Sequence, residues 1–309
     1  MKRILLSVLG IILLLIIILF LLPSNKINTQ TIIVECPNNA VTRDISNSAN
    51  WIKWWPGKKV NDSSYLLNNI EIHIKTVLLN GFKASSKNNN INCLIDFSFG
   101  IINSFTTQLT LSISCNFSKN PFTKAIQYLS YNEQKESFAL FMNALNEHFS
   151  STEKTYGFKI EQQKVPNWAY ISTKKTYQHY PTNDEIYSLI AEVNQYILQQ
   201  KSKAVNFPIL NIHSDNNKEY DVMVAVATDQ NLASNNKFFL KNMMLGNILV
   251  AEVKGGNTMI DQCQQAMKYY VDDYQKSSPA ISFQRLITNR LTEKDSTKWV
   301  TTINYPVFK

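Results

Sequence analysis

Residues beyond 160 read as one strand, helix, strand, strand unit written twice, and a duplication of that kind leaves few folds open. The first copy runs from a β-rich stretch at 165–173 through a helix opening at Thr182 to a strand at Tyr220–Thr228. The second runs from Asn247–Lys254 through a helix opening at Thr258 to strands at 281–288 and 298–305. Equivalent landmarks lie about 76 to 79 residues apart, longer than solenoid repeats. Two halves of one domain, with a cleft where they meet, are the expected result.

The helix assignments rest on spacing. Ile186, Leu189, Ile190, Val193 and Ile197 form one apolar stripe, and Thr182 with Glu185 makes a capping box directly after Pro181. In the second copy Met259, Cys263, Ala266, Met267, Tyr270 and Tyr274 form the matching stripe, with Thr258 and Asp261 as a weaker start signal. Each helix therefore buries one face, and core packing is the ordinary use of its Met and Tyr residues.

With 44% hydrophobic and 17% charged residues in 309, the chain has enough apolar surface for two cores. Residues 4–22 form a nineteen-residue run without a charge, long enough to cross a bilayer as a helix. Lys2 and Arg3 precede it and Lys26 follows, so the positive-inside bias puts the amino terminus in the cytoplasm and the remainder on the far side of the inner membrane, in the periplasm. A cleaved signal peptide competes with this single-pass anchor. Its apolar core would be shorter, and the exit Leu21, Leu22, Pro23, Ser24 has no small-x-small site. No cysteine follows until Cys36, which argues against a lipoprotein signal.

The net charge of +8 comes from Lys scattered through loops. Nucleic-acid binding would require a clustered basic stripe, so no nucleic-acid partner is expected. Cys36, Cys93, Cys115 and Cys263 make no C-x-x-C pair and do not group with His73, His148, His179 or His213, so neither a metal nor another cofactor is expected. A hairpin about Ser104 would set Cys93 opposite Cys115, where an oxidising compartment permits a disulfide; free buried thiols are the alternative. No Ser or Cys stands in a recognisable nucleophile setting, so no catalytic residue is assigned.

Between the anchor (1–29) and the duplicated domain (153–309), residues 30–152 read as a separate module. A short strand at 31–35, a turn and helix, then Trp51, Trp54 and Trp55 precede β-rich runs at 70–79, 92–99 and 106–117. A closing helix carries Phe138, Phe141, Met142, Leu145 and Phe149 on one face. An α+β layout follows, with an antiparallel sheet curling around that helix. The three tryptophans either plug the end of this barrel or line a cavity in it.

The layout of 30–152, with the string Asn50, Trp51, Ile52, Lys53, Trp54, Trp55, Pro56, resembles the SRPBCC or START-like helix-grip family. That resemblance implies a cavity for apolar molecules beneath the last helix. The second module resembles the gyrase-inhibitor-like effector-binding domain of multidrug-responsive and AraC-type regulators. Its carrying stretches are Tyr156-Gly157, Tyr220–Thr228, Glu252-Val253-Lys254-Gly255-Gly256, Ser282-Phe283-Gln284-Arg285-Leu286 and 299–307. The order of anchor, helix-grip and effector domain is similar to membrane-anchored proteins of Bacteroidetes-like bacteria.

In the effector-binding family a buried carboxylate on the strand after the second helix faces aromatic rings and pairs with cationic drugs. Here Gln284 occupies the aligned position, so the resemblance implies ligand binding without that charge unless Glu252 supplies it. The expected ligand-binding residues are Trp168, Tyr170, Tyr220, Met223, Glu252, Phe283, Gln284 and Trp299. The expected function is an anchored binder or sensor of apolar or aromatic small molecules. A hydrolase using Glu252 with Tyr220 or Tyr170 is the first alternative, as in relatives that open strained electrophiles. An envelope interaction protein with filled cavities is the second.

Overall fold

A computed structural model divides the chain into two compact units, Met1–Thr155 and Tyr156–Lys309. The structure describes residues 2–88, 91–214, 218–278 and 280–308, with the side chains of the first helix described in part. Each unit is α+β and built on one antiparallel sheet.

The first unit begins with a helix, α1 (Lys2–Leu21), whose 20 residues make a rod about 30 Å long. Among the described residues no helix is long and apolar enough to cross a membrane, and side chains missing from that set fall within α1 itself. Then come β1 (Asn25–Val34), α2 (Asn38–Ile45), a 3₁₀ turn at Ser48–Lys53, β2 (Lys58–Lys59), β3 (Ser64–Leu67), β4 (Ile70–Leu78), β5 (Gly81–Asn88), β6 (Ile91–Asn103), β7 (Thr106–Asn116), α3 (Pro121–Phe149) and α4 (Thr152–Tyr156). The sheet order is β1-β7-β6-β5-β4-β3-β2. Strand β5 escapes the sequence reading because its residues, Gly-Phe-Lys-Ala-Ser-Ser-Lys-Asn, include no β-branched side chain. The first strand is also longer than expected, starting at Asn25 rather than 31.

Strict alternation in β6 turns Ile91, Cys93, Ile95, Phe97 and Phe99 inward. Cys93 pairs directly with Cys115 across β6 and β7, and the two form a disulfide. Helix α3 lays Phe138, Phe141, Met142, Leu145 and Phe149 on the core. Trp51 is wholly buried, 4.9 Å from the Phe82 ring, and its indole donates to the Ile45 carbonyl at 2.8 Å. Trp55 stacks on Trp51 and meets Phe141 edge-on at 5.2 Å. Of the two sequence readings of these tryptophans, this packing is the plug. At the other end of α3 the buried Lys124 donates to the Leu22 carbonyl at 3.0 Å, placing a cation at the carboxyl end of α1.

The second unit contains β8 (Ile160–Lys164), β9 (Ala169–Tyr177), α5 (Asn183–Gln199), β10 (Ile209–His213), β11 (Tyr220–Thr228), β12 (Phe239–Asn242), β13 (Asn247–Lys254), α6 (Asn257–Asp273), β14 (Phe283–Leu286) and β15 (Val300–Val307). Its sheet order, β12-β9-β11-β10-β14-β15-β13-β8, reads the same from either end once the halves are matched: β9 with β13, β11 with β15, β10 with β14. The seam is β10 against β14, where Ile209 pairs with Arg285 and Leu210 with Gln284. The opening strand of the first copy starts later than expected, at Ala169, after Pro166 with its missing N–H.

Helix α5 begins with the expected capping box, Glu185 N–H donating to the Thr182 hydroxyl and Thr182 N–H to the Glu185 carboxylate. The expected box at Thr258 and Asp261 does not form. Helix α6 starts at Asn257 with Gly256 as its uncapped N-terminal flank, so Thr258 already lies inside the first turn. Gly255 before it has φ +143°, a conformation suited to glycine. The buried stripe of α6 is turned accordingly: Ile260 and Val271 join Cys263, Ala266 and Met267, while Met259 is exposed.

Candidate functional site

Alternation along each strand decides which residues meet the helices and which meet the opposite face of this sheet. Val222, Val224 and Val226 pack under α5, and Leu249, Ala251 and Val253 under α6. Their neighbours in sequence look the other way. There Val165, Tyr170, Ile209, Ala225, Ala227, Ile248 and Phe283 form a separate cluster.

A cavity of about 300 Å³ opens on this helix-free face. Its floor is Tyr170 and Ser172 from β9, Ile209 and Asn211 from β10, Met223 and Ala225 from β11 and Phe283 from β14. Segments 241–247, 280–281 and 306–308 complete the wall, so both halves contribute. The volume is at the small end of the range for ligand sites. Space exists because the floor carries Ser172 and Ala225 where larger side chains would fill it. A second hollow, an annex of about 250 Å³, shares Asn211, Met223 and Ile281 with the cavity and is lined also by Lys174, His213 and Asp221.

Tyr170 is 2% exposed, and its hydroxyl has no hydrogen-bond partner. Burial pushes the phenol up in pKa, and the Arg285 guanidinium beside it pulls the other way. Arg285 shares its face with Phe283 and is flanked by Ile209 and Thr302, and its buried Nε also lacks a partner. An unpaired buried donor costs about 1–3 kcal/mol, so two together are unusual. In the annex Asp221 is held below the usual carboxylate range, first by Lys174 Nζ at 2.6 Å and then by the Thr176 hydroxyl.

Of the eight residues expected from sequence, Tyr170, Met223 and Phe283 line the cavity. Trp168 is half-buried and packs against the edge of the same cluster without reaching the lining. Of the other four, Tyr220, Gln284 and Trp299 lie on the helix side, and Glu252 shares the open face without reaching the lining. Tyr220 falls in step with Val222 and meets Tyr180 edge-on at 5.6 Å. Gln284 sits between Leu210 and Ile303, on the helix side, 3.5 Å from Arg290. Trp299 packs on the same side against the buried Arg290, whose guanidinium carbon is 4.9 Å from the ring centre. Glu252 shares the face of Ile248 and Val250 but is exposed beyond the cavity. Among the described residues no cluster of His, Cys, Asp and Glu could hold a metal ion. Burial pushes the Cys263 thiol up to about 12, leaving it unreactive.

Sequence reasoning missed Ser172, Ala225 and Lys241. The available signal was the small-residue alternation Ala225, Ala227 on β11, which marks a hollow more directly than aromatic content does.

No family model matches the chain, and no curated protein does. Similar solved structures include the C-terminal domain of EcmrR, 14% identical over 49% of this chain and 98% of that one, with a TM-score of 0.41. SAV2435 bound to tetraphenylphosphonium is 18% identical over 48% and 93%, with a TM-score of 0.32. A hydrolase from Listeria innocua is 9% identical over 48% and 91%, with a TM-score of 0.38.

Proposed function

We propose that the chain is a small-molecule binding protein whose ligand, apolar or aromatic, enters the helix-free face of the C-terminal unit. The observation that carries this reading is the 300 Å³ cavity itself, walled by Met223, Ala225, Ile209 and Phe283 yet holding an unpaired buried hydroxyl. A filled seam, as an interaction protein would have, leaves no such space. Hydrolysis by a pocket carboxylate has no support either, because the described lining offers Lys241 and Tyr170 but neither Asp nor Glu. In this reading residues 4–22 anchor the protein in the inner membrane, both units lie in the periplasm, and residues 30–152 form a helix-grip domain. The charge-free run and the helical backbone of α1 support the anchor. Effector-binding ancestry for 153–309 is supported by its two-fold strand order and the motif stretches around Gln284.

The binding claim is tested with full-length protein in phosphatidylcholine nanodiscs and the uncharged dye N-phenyl-1-naphthylamine. Saturable fluorescence above that of empty nanodiscs is expected, and Met223→Trp, which fills the cavity, weakens it by roughly tenfold, the equivalent of about 1.4 kcal/mol. Equal signals from protein and empty nanodiscs would refute the reading. Topology is tested by alkaline phosphatase fused after Lys309: activity is expected, and an inactive but intact fusion removes the export claim.

A further inference from the structure

We infer that the first turns of α3, through the exposed Phe122, Ile126 and Leu129, dock into the lipid headgroup layer beside the point where α1 leaves the bilayer. The inference rests on the reading of residues 4–22 as an anchor and extends it to a lipid-binding surface on the first folded unit.

Two hydrogen bonds fix the placement. Lys124 Nζ donates to the Leu22 carbonyl at 3.0 Å, and the Tyr128 hydroxyl donates to the Pro23 carbonyl at 2.9 Å. The start of α3 therefore runs beside the chain leaving α1, and in the same direction. Phe122, which precedes Lys124, falls level with the last residues of α1, where Phe20 and Leu21 are exposed as well.

The stripe itself has the character of an interfacial helix. Phe122, Ile126 and Leu129 are 64%, 51% and 67% exposed, and their i, i+4, i+7 spacing sets them on one face of α3. They cover about 10 Å of helix, which matches the depth to which interfacial helices sink. Further along the same face come Glu133 and Glu136. Apolar at the α1 end and acidic beyond it, the face suits a helix that enters lipid by its first turns only.

Charge and aromatic content agree with a lipid occupant. No Asp or Glu occurs in 22–34 or 116–132, and these stretches carry Lys26, Lys119 and Lys124. Lys26 and Lys119 are exposed, which suits anionic headgroups. Lys26 Nζ lies 4.9 Å from the centre of the Tyr131 ring and 5.7 Å from that of Tyr128, and Tyr128 stacks on Phe117 at 4.2 Å. Tyrosines beside lysines are residues that gather at a membrane–water boundary. A second copy of the chain would set the same lysines against each other, and like charges disfavour that pairing.

The test uses full-length protein in nanodiscs of phosphatidylcholine and phosphatidylglycerol, with an environment-sensitive NBD label on Ile126→Cys, Leu140→Cys or Leu14→Cys in turn. Cys36 and Cys263 are buried and Cys93 is bonded to Cys115, so the introduced thiol takes the label. Lipid carrying a nitroxide near its headgroup is expected to quench the label at Ile126 at least about threefold more than at Leu140, which lies about 21 Å further along the helix. Lipid with its nitroxide near the chain end is expected to quench the label at Leu14. Adding Phe122→Ser and Leu129→Ser to Ile126→Cys lowers quenching to the Leu140 level. Both side chains are exposed, so the fold is retained, and thermal melting checks this. Three results overturn the inference. The first is equal quenching at Ile126 and Leu140. The second is quenching that survives the loss of Phe122 and Leu129, since α1 alone then brings the label near lipid. The third is a label shielded from water yet unquenched, which would mean a protein occupant. A Leu14 label that neither lipid quenches instead removes the anchor reading beneath it.

Discussion

The two units spend their aromatic residues in opposite ways. In the first, Trp51, Trp54, Trp55, Tyr65, Phe82 and Phe141 touch one another in a continuous stack between sheet and helix. In the second, Tyr170 and Phe283 border a hollow kept open by Ser172 and Ala225. Aromatic content alone therefore does not mark a binding site. What separates plug from pocket is the size of the residue facing each ring: large against large closes the space, large against alanine leaves it.

The strongest way to break that comparison is to remove a ring from each unit. Trp51→Ala is expected to destabilise the first unit by about 3–5 kcal/mol, read by chemical denaturation, because a fully buried indole leaves a void its neighbours cannot fill. Phe283→Ala, beside an existing hollow, is expected to cost distinctly less. Equal losses would mean that the cavity wall is as tightly packed as the plug.

The first unit also relies on a covalent tie, whereas Cys263 in the second is a buried free thiol. Replacing Cys93 and Cys115 together by Ser is expected to cost about 3 kcal/mol, the scale of closing a loop of this length. The loss should appear in the unfolding transition of the first unit and leave dye binding by the second intact.

How much of this was legible in the sequence depends on which period carried the signal. The helical stripes of α3 and α5 and the capping box of α5 stand as read, whereas the stripe of α6, without a side-chain cap to fix its start, is turned by one residue. The register of Cys93 and Cys115 follows from a hairpin centred on Ser104. Strand β5 was invisible because it carries no β-branched side chain. Site residues fared worst, for a reason intrinsic to strands: a single step in sequence exchanges the helix face for the open one. Gln284 and Arg285 differ by that one step, the first facing the helices and the second the open face.

Adding atoms sharpens the comparison further. Ala84 is buried in the first unit, and Ala225 lines the cavity of the second. Ala84→Leu is expected to destabilise by about 1–3 kcal/mol through overpacking. Ala225→Leu should change stability by less than about 1 kcal/mol while weakening dye binding, because its extra methyl groups enter empty space. Denaturation and dye titration of both variants read the difference; a large stability loss in Ala225→Leu would mean the hollow is smaller than its volume suggests.

The finest contrast lies between the two halves of the second unit. Thr182 caps α5 through Glu185 N–H, and Glu185 returns the bond to the Thr182 backbone, whereas α6 opens at Gly256 with no side-chain cap. Thr182→Ala therefore removes a satisfied pair and is expected to cost about 1 kcal/mol. Thr258→Ala removes a hydroxyl already inside the first turn of α6 and should stay within about 0.5 kcal/mol of the parent. Hydrogen exchange at the first amides of each helix provides the local readout: protection should fall at residues 184–186 in the first variant and hold at 258–260 in the second. Matching losses would show that Thr258 caps α6 in solution and that the halves share their start signal as well as their strand order.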